Sequence, residues 1–260
     1  MGINAMSNYN FTTKHIQKVC LFFKDMTNYV LVHGSCHGGW CWKKVTPLLI
    51  KDDHSVYTPT LTGLGERSHL VNRDIGLYTH ILDITQLLEY EDLYEVILVG
   101  HSYGGMVIGG MAEKVPKRIR YLVYLDAYIP KDNKSAFDLI PGLETIYKKM
   151  ALSEQGKEWL VASYEPKEFG VTNSSDIKWM STRLTPMPWH THDQRIRINN
   201  PEVKKIPKSI ICCSEFGVSQ FKPQQQPIAC SYHELMRGHD VMITAPDELA
   251  QILKTIDKSK

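Results

Sequence analysis

The stretch that decides the fold reads Val99-Gly100-His101-Ser102-Tyr103-Gly104-Gly105-Met106. It follows an apolar run that begins at Val96 and precedes a pattern with helical spacing. A strand, a tight turn and a helix that carry Gly-x-Ser-x-Gly form a nucleophile elbow, which exposes the serine hydroxyl at the end of the strand. Side chains at Gly100 or Gly104 would collide with the neighbouring helix and strand. The motif therefore predicts Ser102 as a nucleophile; the alternative is a glycine-rich turn in which the serine only caps the helix.

Short apolar runs alternate with helical patterns along most of the chain. Continuous apolar runs are typical of strands buried on both faces of a parallel sheet, and strand–helix alternation indicates an α/β fold with helices on both faces. The predicted strands are Tyr29–Val32, Ser55–Thr58, Val96–Val99, Tyr121–Asp126, Ser209–Cys213 and Cys230–Glu234. The predicted helices run up to Ile50, over Thr79–Tyr90, over Gly104–Glu113 and over Pro246–Ile256.

The regular alternation stops between residues 131 and 201. An irregular, amphipathic segment of this length between two core strands predicts a cap over the site, with an ordinary helical excursion as the alternative. Residues 1–25 are polar and weakly patterned, which indicates an N-terminal extension or a short edge hairpin. We therefore expect one domain over residues 26–260 that carries a cap insertion at about 131–201.

The composition excludes several classes of protein. The formal net charge is +2 and 22% of the residues are charged, so there is no electrostatic case for nucleic acid or a membrane surface as a partner. Two of the six cysteines, Cys212 and Cys213, are adjacent in a predicted strand and should point to opposite faces. We read the cysteines as reduced thiols of a cytoplasmic protein whose partner is a small molecule; a homodimer is allowed.

A serine hydroxyl needs a base and a stabiliser for the oxyanion that its attack creates. His239 follows the last predicted strand, where the order Ser…acid…His puts the base. The oxyanion requires two main-chain N–H groups, which we expect from Tyr103, directly after the nucleophile, and from Ser35, after the first strong strand. Gly34 would let this main chain approach the reacting centre.

Two histidine-containing stretches resemble metal-binding motifs but lack some of the ligands that such motifs require. His33 and His37 have the i, i+4 spacing of a zinc pair, but the glutamate of the zinc-protease motif and a third ligand are missing. The stretch Trp189–Asp193 reads as a polar loop of the cap. We expect no metal and no cofactor, because proton transfer and charge stabilisation suffice for the chemistry.

Five stretches of the sequence match motifs of a known family: His33–Trp40, Gly100–Met106, Gly238–His239, Thr58–Arg67 and Leu122–Ala127. The first three resemble the plant methylesterase and hydroxynitrile lyase family of α/β-hydrolases. The last two look closer to its bacterial esterase relatives, some of which hydrolyse pyrethroids. The similarity begins near Tyr29 and is weakest in the cap. It implies the α/β-hydrolase fold and ester hydrolysis.

The resemblance also identifies two departures. Hydroxynitrile lyases of this family need a threonine in the first loop and a lysine after the catalytic histidine, where this chain has Gly34 and Asp240. The plant enzymes take their triad acid from an aspartate after the strand near residue 213, where Phe216 aligns. Asp126, which closes a strand as the acid of lipases does, or Glu215 could take its place. An aspartate that ends an apolar strand needs a partner such as an imidazolium, so Asp126 is the first choice.

Together these residues predict a serine carboxylesterase that acts through Ser102, His239 and Asp126 on small, hydrophobic carboxylic esters. Four aromatic and methionine side chains of the cap suggest an apolar substrate, with packing inside the protein as the commoner use of such side chains: Trp179, Met180, Met187 and Trp189. The alternatives are a non-catalytic small-molecule receptor on the same scaffold and a hydroxynitrile lyase.

Overall fold

A six-stranded parallel sheet forms the centre of the computed structural model, which describes residues 26–214 and 230–258. Its strand order is β2-β1-β3-β4-β7-β8, and every neighbouring pair is parallel. Each predicted strand is present within two residues of its expected limits, which confirms the α/β architecture. The strands are β1 (Asn28–Val32), β2 (Ser55–Tyr57), β3 (Val96–His101), β4 (Ile119–Leu125), β7 (Lys208–Cys213) and β8 (Cys230–Leu235), with a separate antiparallel pair of β5 (Leu160–Val161) and β6 (Met187–Pro188).

Helices cover both faces of this sheet. They are α1 (Thr46–Ile50), α2 (Leu77–Tyr90), α3 (Gly104–Lys114), α4 (Ala136–Leu139), α5 (Leu143–Met150), α6 (Ser174–Ser181), α7 (His190–Asp193), α8 (Pro201–Lys205), α9 (Val241–Thr244) and α10 (Pro246–Lys258). Four 3-10 turns complete the set: Gly39–Trp42, Gly65–Leu70, Pro116–Arg118 and Pro166–Phe169.

Successive residues of the central strands enter two different cores. In β1, Val30 packs in the core beneath α2 and α3, whereas Leu31 packs in the core beneath α1 and α10. Cys212 and Cys213 divide between the same two cores, as predicted from their adjacency. The cysteines of the described residues are free thiols. Because both faces are buried, only the edges and ends of the sheet remain for a functional site.

The inserted segment (residues 131–201) lies between β4 and β7 and consists of short elements. Its helices α4 to α7 have four to eight residues each. Local caps define some of them: the Ser135 hydroxyl accepts from the Asp138 N–H at α4, and the Asn173 side chain accepts from two N–H groups at α6. Such short helices depend on tertiary packing for their stability.

The prediction of a polar loop at residues 189–193 is wrong. Four of these residues form α7, in which Thr191 and His192 are fully buried while His190 remains exposed to solvent. The polar atoms of Thr191 and His192 form hydrogen bonds with one another and with neighbouring groups, so burial does not leave them without hydrogen-bond partners. The N-terminal extension lies outside the described residues. Within them, no helix has the length and apolar character that a membrane crossing requires.

Candidate active site

Ser102 follows β3 in a strained turn at the carboxyl end of the sheet. Its φ is +53°, in the left-handed region that residues other than glycine rarely occupy. Main-chain bonds hold it there: the Ser102 N–H donates to the Leu125 carbonyl at 3.1 Å, and the Ser102 carbonyl accepts from the N–H groups of Gly105 at 3.0 Å and Tyr128 at 3.1 Å. The turn is therefore fixed by β4 and by the start of α3, as expected for an elbow.

The glycines around this turn are required by close packing. A Cβ atom at Gly100 would lie 2.6 Å from the Gly104 carbonyl oxygen, and one at Gly104 would lie 2.8 Å from the carbonyl oxygens of Val32 and His33. A Cβ atom at Gly34 would lie 2.8 Å from the Ser102 Cβ. The loop after β1 thus approaches the serine as closely as the sequence predicts.

Asp126 and His239 form a hydrogen-bonded pair in the same region. The Nδ1–H of His239 donates to Oδ2 of Asp126 at 2.6 Å, and the main-chain N–H of Cys213 donates to Oδ1 at 3.0 Å. Asp126 follows β4, has a φ of +40° and is only 4% exposed. The aspartate that closes the apolar strand therefore has an imidazole partner. Glu215, the alternative acid, lies outside the described residues.

The environment of His239 favours the protonated imidazole. Burial by itself lowers the pKa of His239, but the hydrogen bond and charge of Asp126, with a smaller contribution from the charge of Asp240, outweigh it and raise the pKa above its ordinary value. A base of this kind loses its proton at a higher pH than an ordinary histidine and becomes a stabilised imidazolium when it accepts a proton.

Neutral histidines fix the two segments expected to stabilise an oxyanion. His33 accepts the Leu61 N–H at Nε2 (3.0 Å) and donates from Nδ1 to the Gly34 carbonyl (2.8 Å), so it braces the loop that contains Ser35. Burial lowers the pKa of His33 to about 3. The Tyr103 hydroxyl bonds to Nδ1 of His80 at 3.0 Å, which holds the residue after the serine in place.

A second buried histidine–aspartate pair lies next to His239. Nδ1 of His37 bonds to the Ser35 carbonyl at 2.7 Å, and Nε2 of His37 bonds to Oδ2 of Asp240 at 2.9 Å. His101 donates from Nε2 to the His239 carbonyl at 3.1 Å, and this nitrogen is 3.8 Å from Oδ1 of Asp240. These contacts connect the loop after β1 with the loop that carries His239. Asp240, which stands where the lyases have lysine, is therefore part of the interior.

The predicted residues meet at one cavity of about 550 Å³ at the carboxyl ends of the strands. In open α/β sheets ligands bind at this edge. Ser35, Ser102, Asp126 and His239 line the cavity, whereas Tyr103, the residue after Ser102, is fully buried and is not among the lining residues. Apolar and aromatic side chains supply much of the remaining wall: Tyr128, Ile140, Leu143, Ile146, Tyr147, Tyr164 and Phe169.

The wall residues were not found from the sequence. Within the described chain, none of Trp179, Met180, Met187 and Trp189 lines the cavity; they pack in or against the two cores instead. Tyr147 and Phe169 take that place, from α5 and from a 3-10 turn. The helical spacing of Leu143 and Tyr147 was the available signal, but it does not distinguish a wall residue from a core residue.

One group of side chains in the described residues has metal-ligand geometry. His101, His239 and Asp240 each offer a ligand atom, and these atoms lie within 4.8 Å of one another. His101 and Asp240 are fully buried, and His239 is bonded to Asp126. The predicted non-ligands His33 and His37 use both ring nitrogens in hydrogen bonds.

Comparisons with known proteins identify the family of the chain. Residues 29–252 match the model of the alpha/beta hydrolase family. A carbendazim hydrolyzing esterase from Nocardioides is 33% identical over 254 residues, which cover 89% of this chain and all of that protein. Methylesterase 10 of Arabidopsis thaliana is 26% identical over 95% of this chain and 96% of its own length.

A solved structure shows the same fold. An extracellular alpha/beta-hydrolase from a Paenibacillus species, described as a structural and functional homologue of tobacco salicylic acid binding protein 2, superimposes with a TM-score of 0.77 at 24% identity. The match covers 88% of this chain and 98% of that one. The two relatives above are named as esterases, which confirms the expected assignment to carboxylic-ester hydrolases. By its sequence and its fold, the chain belongs to the alpha/beta hydrolase family.

Proposed function

We propose that this chain is a serine esterase in which Ser102 attacks the ester carbonyl while His239 accepts its proton. The observation that carries the proposal is the 2.6 Å bond between Asp126 and His239 at the cavity that Ser102 also lines. Asp126 holds the Nδ1–H tautomer, which leaves Nε2 free of a proton and able to act as base. Histidine then protonates the leaving alcohol and activates water against the acyl-enzyme.

The oxyanion is stabilised by the main-chain N–H groups of Ser35 and Tyr103. The close approach of Gly34 to Ser102 and the hydrogen bond of the Tyr103 hydroxyl to His80 support this role. Preorganised donors of this kind act in a partly desolvated cavity, where they are worth more than in water.

The cavity wall favours a neutral ester with apolar parts. The charged groups that line it besides the pair of Asp126 and His239 are Glu168 and Arg237, and Arg237 forms an ion pair with Glu248 at 2.6 Å. Because one relative is named as a carbendazim hydrolyzing esterase, carbendazim is one of the compounds to test as a substrate. The inserted segment carries Tyr147 and Phe169 of the wall and serves as the cap.

The test is covalent labelling of Ser102. We expect a fluorophosphonate probe to label this serine, and p-nitrophenyl butyrate to be hydrolysed. Ser102→Ala should lose both signals, with kcat lower by about 10⁵ to 10⁶. Saturable binding of small esters without labelling or turnover would support the non-catalytic receptor, and release of cyanide from mandelonitrile would support the lyase.

A further inference from the structure

A row of hydrogen bonds runs from the inserted segment to the loop after β1. The Thr191 hydroxyl donates to the Pro188 carbonyl at 2.6 Å. Its oxygen lies 2.8 Å from Nδ1 of His192. Because the only hydroxyl hydrogen of Thr191 is already used, the hydrogen between these two side chains must be on Nδ1. The row therefore begins with a fixed tautomer of His192.

This tautomer makes the other ring nitrogen an acceptor. Burial, with a smaller effect from His80, lowers the pKa of His192 to about 3, so the ring is neutral and carries one proton. Nε2 lies 2.9 Å from the Tyr147 hydroxyl and 3.3 Å from the Ser35 hydroxyl. Burial also raises the pKa of Tyr147, which keeps its hydroxyl protonated. Tyr147 and, at the longer distance, Ser35 therefore each donate their only hydroxyl hydrogen to Nε2 of His192.

Packing holds this arrangement in place. The His192 ring stacks on the ring of Tyr103 with centroids 4.9 Å apart and planes 20° apart, and the Tyr147 ring lies 4.6 Å from it. His192 is fully buried, whereas Tyr147 and Ser35 line the cavity. The Tyr147 hydrogen points away from the cavity, so the free valence of its oxygen is a lone pair that can only accept.

We propose that Tyr147 and Ser35 form a subsite that selects esters with a hydrogen-bond donor, an O–H or N–H group, next to the reacting carbonyl. This inference rests on the proposed function for the identity of the ligand as an ester. Gly34, beside Ser35, is packed against Ser102, so a group bound at the Ser35 hydroxyl is close to the reacting carbon. An ether or carbonyl oxygen in place of that O–H or N–H group would face the lone pair of the Tyr147 oxygen. Such an oxygen would give up its hydrogen bond to water and gain no hydrogen bond from the protein.

The experiment measures binding without hydrolysis. In Ser102→Ala, the dissociation constant of methyl mandelate is compared with that of methyl 2-phenylpropionate, in which a methyl group replaces the hydroxyl. A second pair, methyl α-methoxyphenylacetate and methyl 2-phenylbutyrate, replaces an ether oxygen by a methylene group. We expect the hydroxy ester to bind about threefold to tenfold more tightly than its partner, and the methoxy ester to bind no better than its own.

Two variants in the Ser102→Ala background assign the effect. Tyr147→Phe should abolish the preference for the hydroxy ester, and Tyr164→Phe, which removes another hydroxyl from the cavity wall, should retain it. Long-range ¹H–¹⁵N spectra of the unsubstituted protein should show His192 protonated at Nδ1 and not titrating between pH 5 and 8. This measurement does not require any variant to fold.

The proposal is overturned if the methyl-substituted ester binds as tightly as the hydroxy ester, if neither binds at millimolar concentration, or if His192 carries its proton on Nε2. The esterase proposal fails separately, by the absence of Ser102 labelling and of p-nitrophenyl butyrate turnover in the wild type. A preference for the hydroxy ester in a protein without turnover would therefore keep the subsite and discard the reaction.

Discussion

The carboxyl ends of the strands and the inserted segment form the two sides of one cavity, and different interactions hold their residues in position. At the edge, main-chain bonds and close glycine contacts set the positions of Ser102 and Asp126. In the inserted segment, short helices project side chains toward the cavity, and their positions depend on contacts between side chains, such as the one between Tyr147 and His192.

We therefore expect the two regions to control different properties: the catalytic rate on all esters and the selectivity among esters. A change at the edge displaces a reacting atom and should reduce activity on every ester. A change in the inserted segment alters which groups the wall offers and should affect esters unequally. Both statements can be tested with variants that have matched controls in the same chain.

The largest effect among these variants is expected at Gly34. Alanine at this position would place its Cβ 2.8 Å from the Cβ of Ser102. The loop after β1, which contains the proposed oxyanion donor Ser35, would then have to move away from Ser102. We expect kcat/KM to fall about 10² to 10³ on every ester, as after the loss of an oxyanion donor. Gly156→Ala is the control for lost stability alone, because its φ of +84° strains an alanine backbone, whereas a Cβ there meets nothing within 4 Å and the residue is exposed. Activity of Gly34→Ala within about threefold of the wild type would show that the loop does not need this close approach.

A smaller effect is expected in the pH profile. Activity requires neutral His239, whose pKa is raised, so kcat/KM should be lost as the pH falls through a midpoint above the ordinary histidine value. Asp240→Asn removes a charge that helps to raise this pKa, and the midpoint should move to lower pH. Asp247→Asn changes the net charge equally at an exposed site and should leave the midpoint in place. An unchanged profile in Asp240→Asn would contradict the electrostatic role of Asp240.

The smallest effect is expected from the inserted segment. His192→Phe removes the acceptor for the Tyr147 hydroxyl, which can then donate to a ligand. The ratio of kcat/KM for methyl α-methoxyphenylacetate to that for methyl 2-phenylbutyrate should rise about threefold to tenfold, because the released hydroxyl can donate to the ether oxygen. His190→Phe, at the exposed end of the same helix, should keep the wild-type ratio. Equal losses on both esters in His192→Phe would mean that this histidine only stabilises the fold.

The residues at the carboxyl ends of the strands could be predicted from the sequence, because their local structure requires particular residue types at fixed positions. The elbow needs glycines at fixed offsets from Ser102, and a buried parallel strand needs a continuous apolar run. Asp126 stood out because a carboxylate at the end of such a run requires a partner. His239 followed from its place after the last strand, where the order of the chemistry requires a base.

Residues of the inserted segment left no such signature. His192 lies in a polar stretch and reads as a surface residue, and only tertiary contacts bury it against Tyr147 and Tyr103. Trp179 and Met180 looked like wall residues, but an aromatic or thioether side chain fits a core equally well. The pattern did not predict the four-residue helix that contains His192, because the formation and orientation of so short a helix depend on packing that the sequence does not display.

The source of the triad acid is the central claim: we propose that it comes from the end of β4, whereas the resemblance to the plant enzymes implies an aspartate after β7. The most direct test compares kcat/KM for p-nitrophenyl butyrate in Asp126→Asn and Glu215→Gln. We predict a loss of about 10³ to 10⁴ in Asp126→Asn, since the base then loses its correct tautomer, and a change of less than about threefold in Glu215→Gln. A large loss in Glu215→Gln with Asp126→Asn still active would contradict the account.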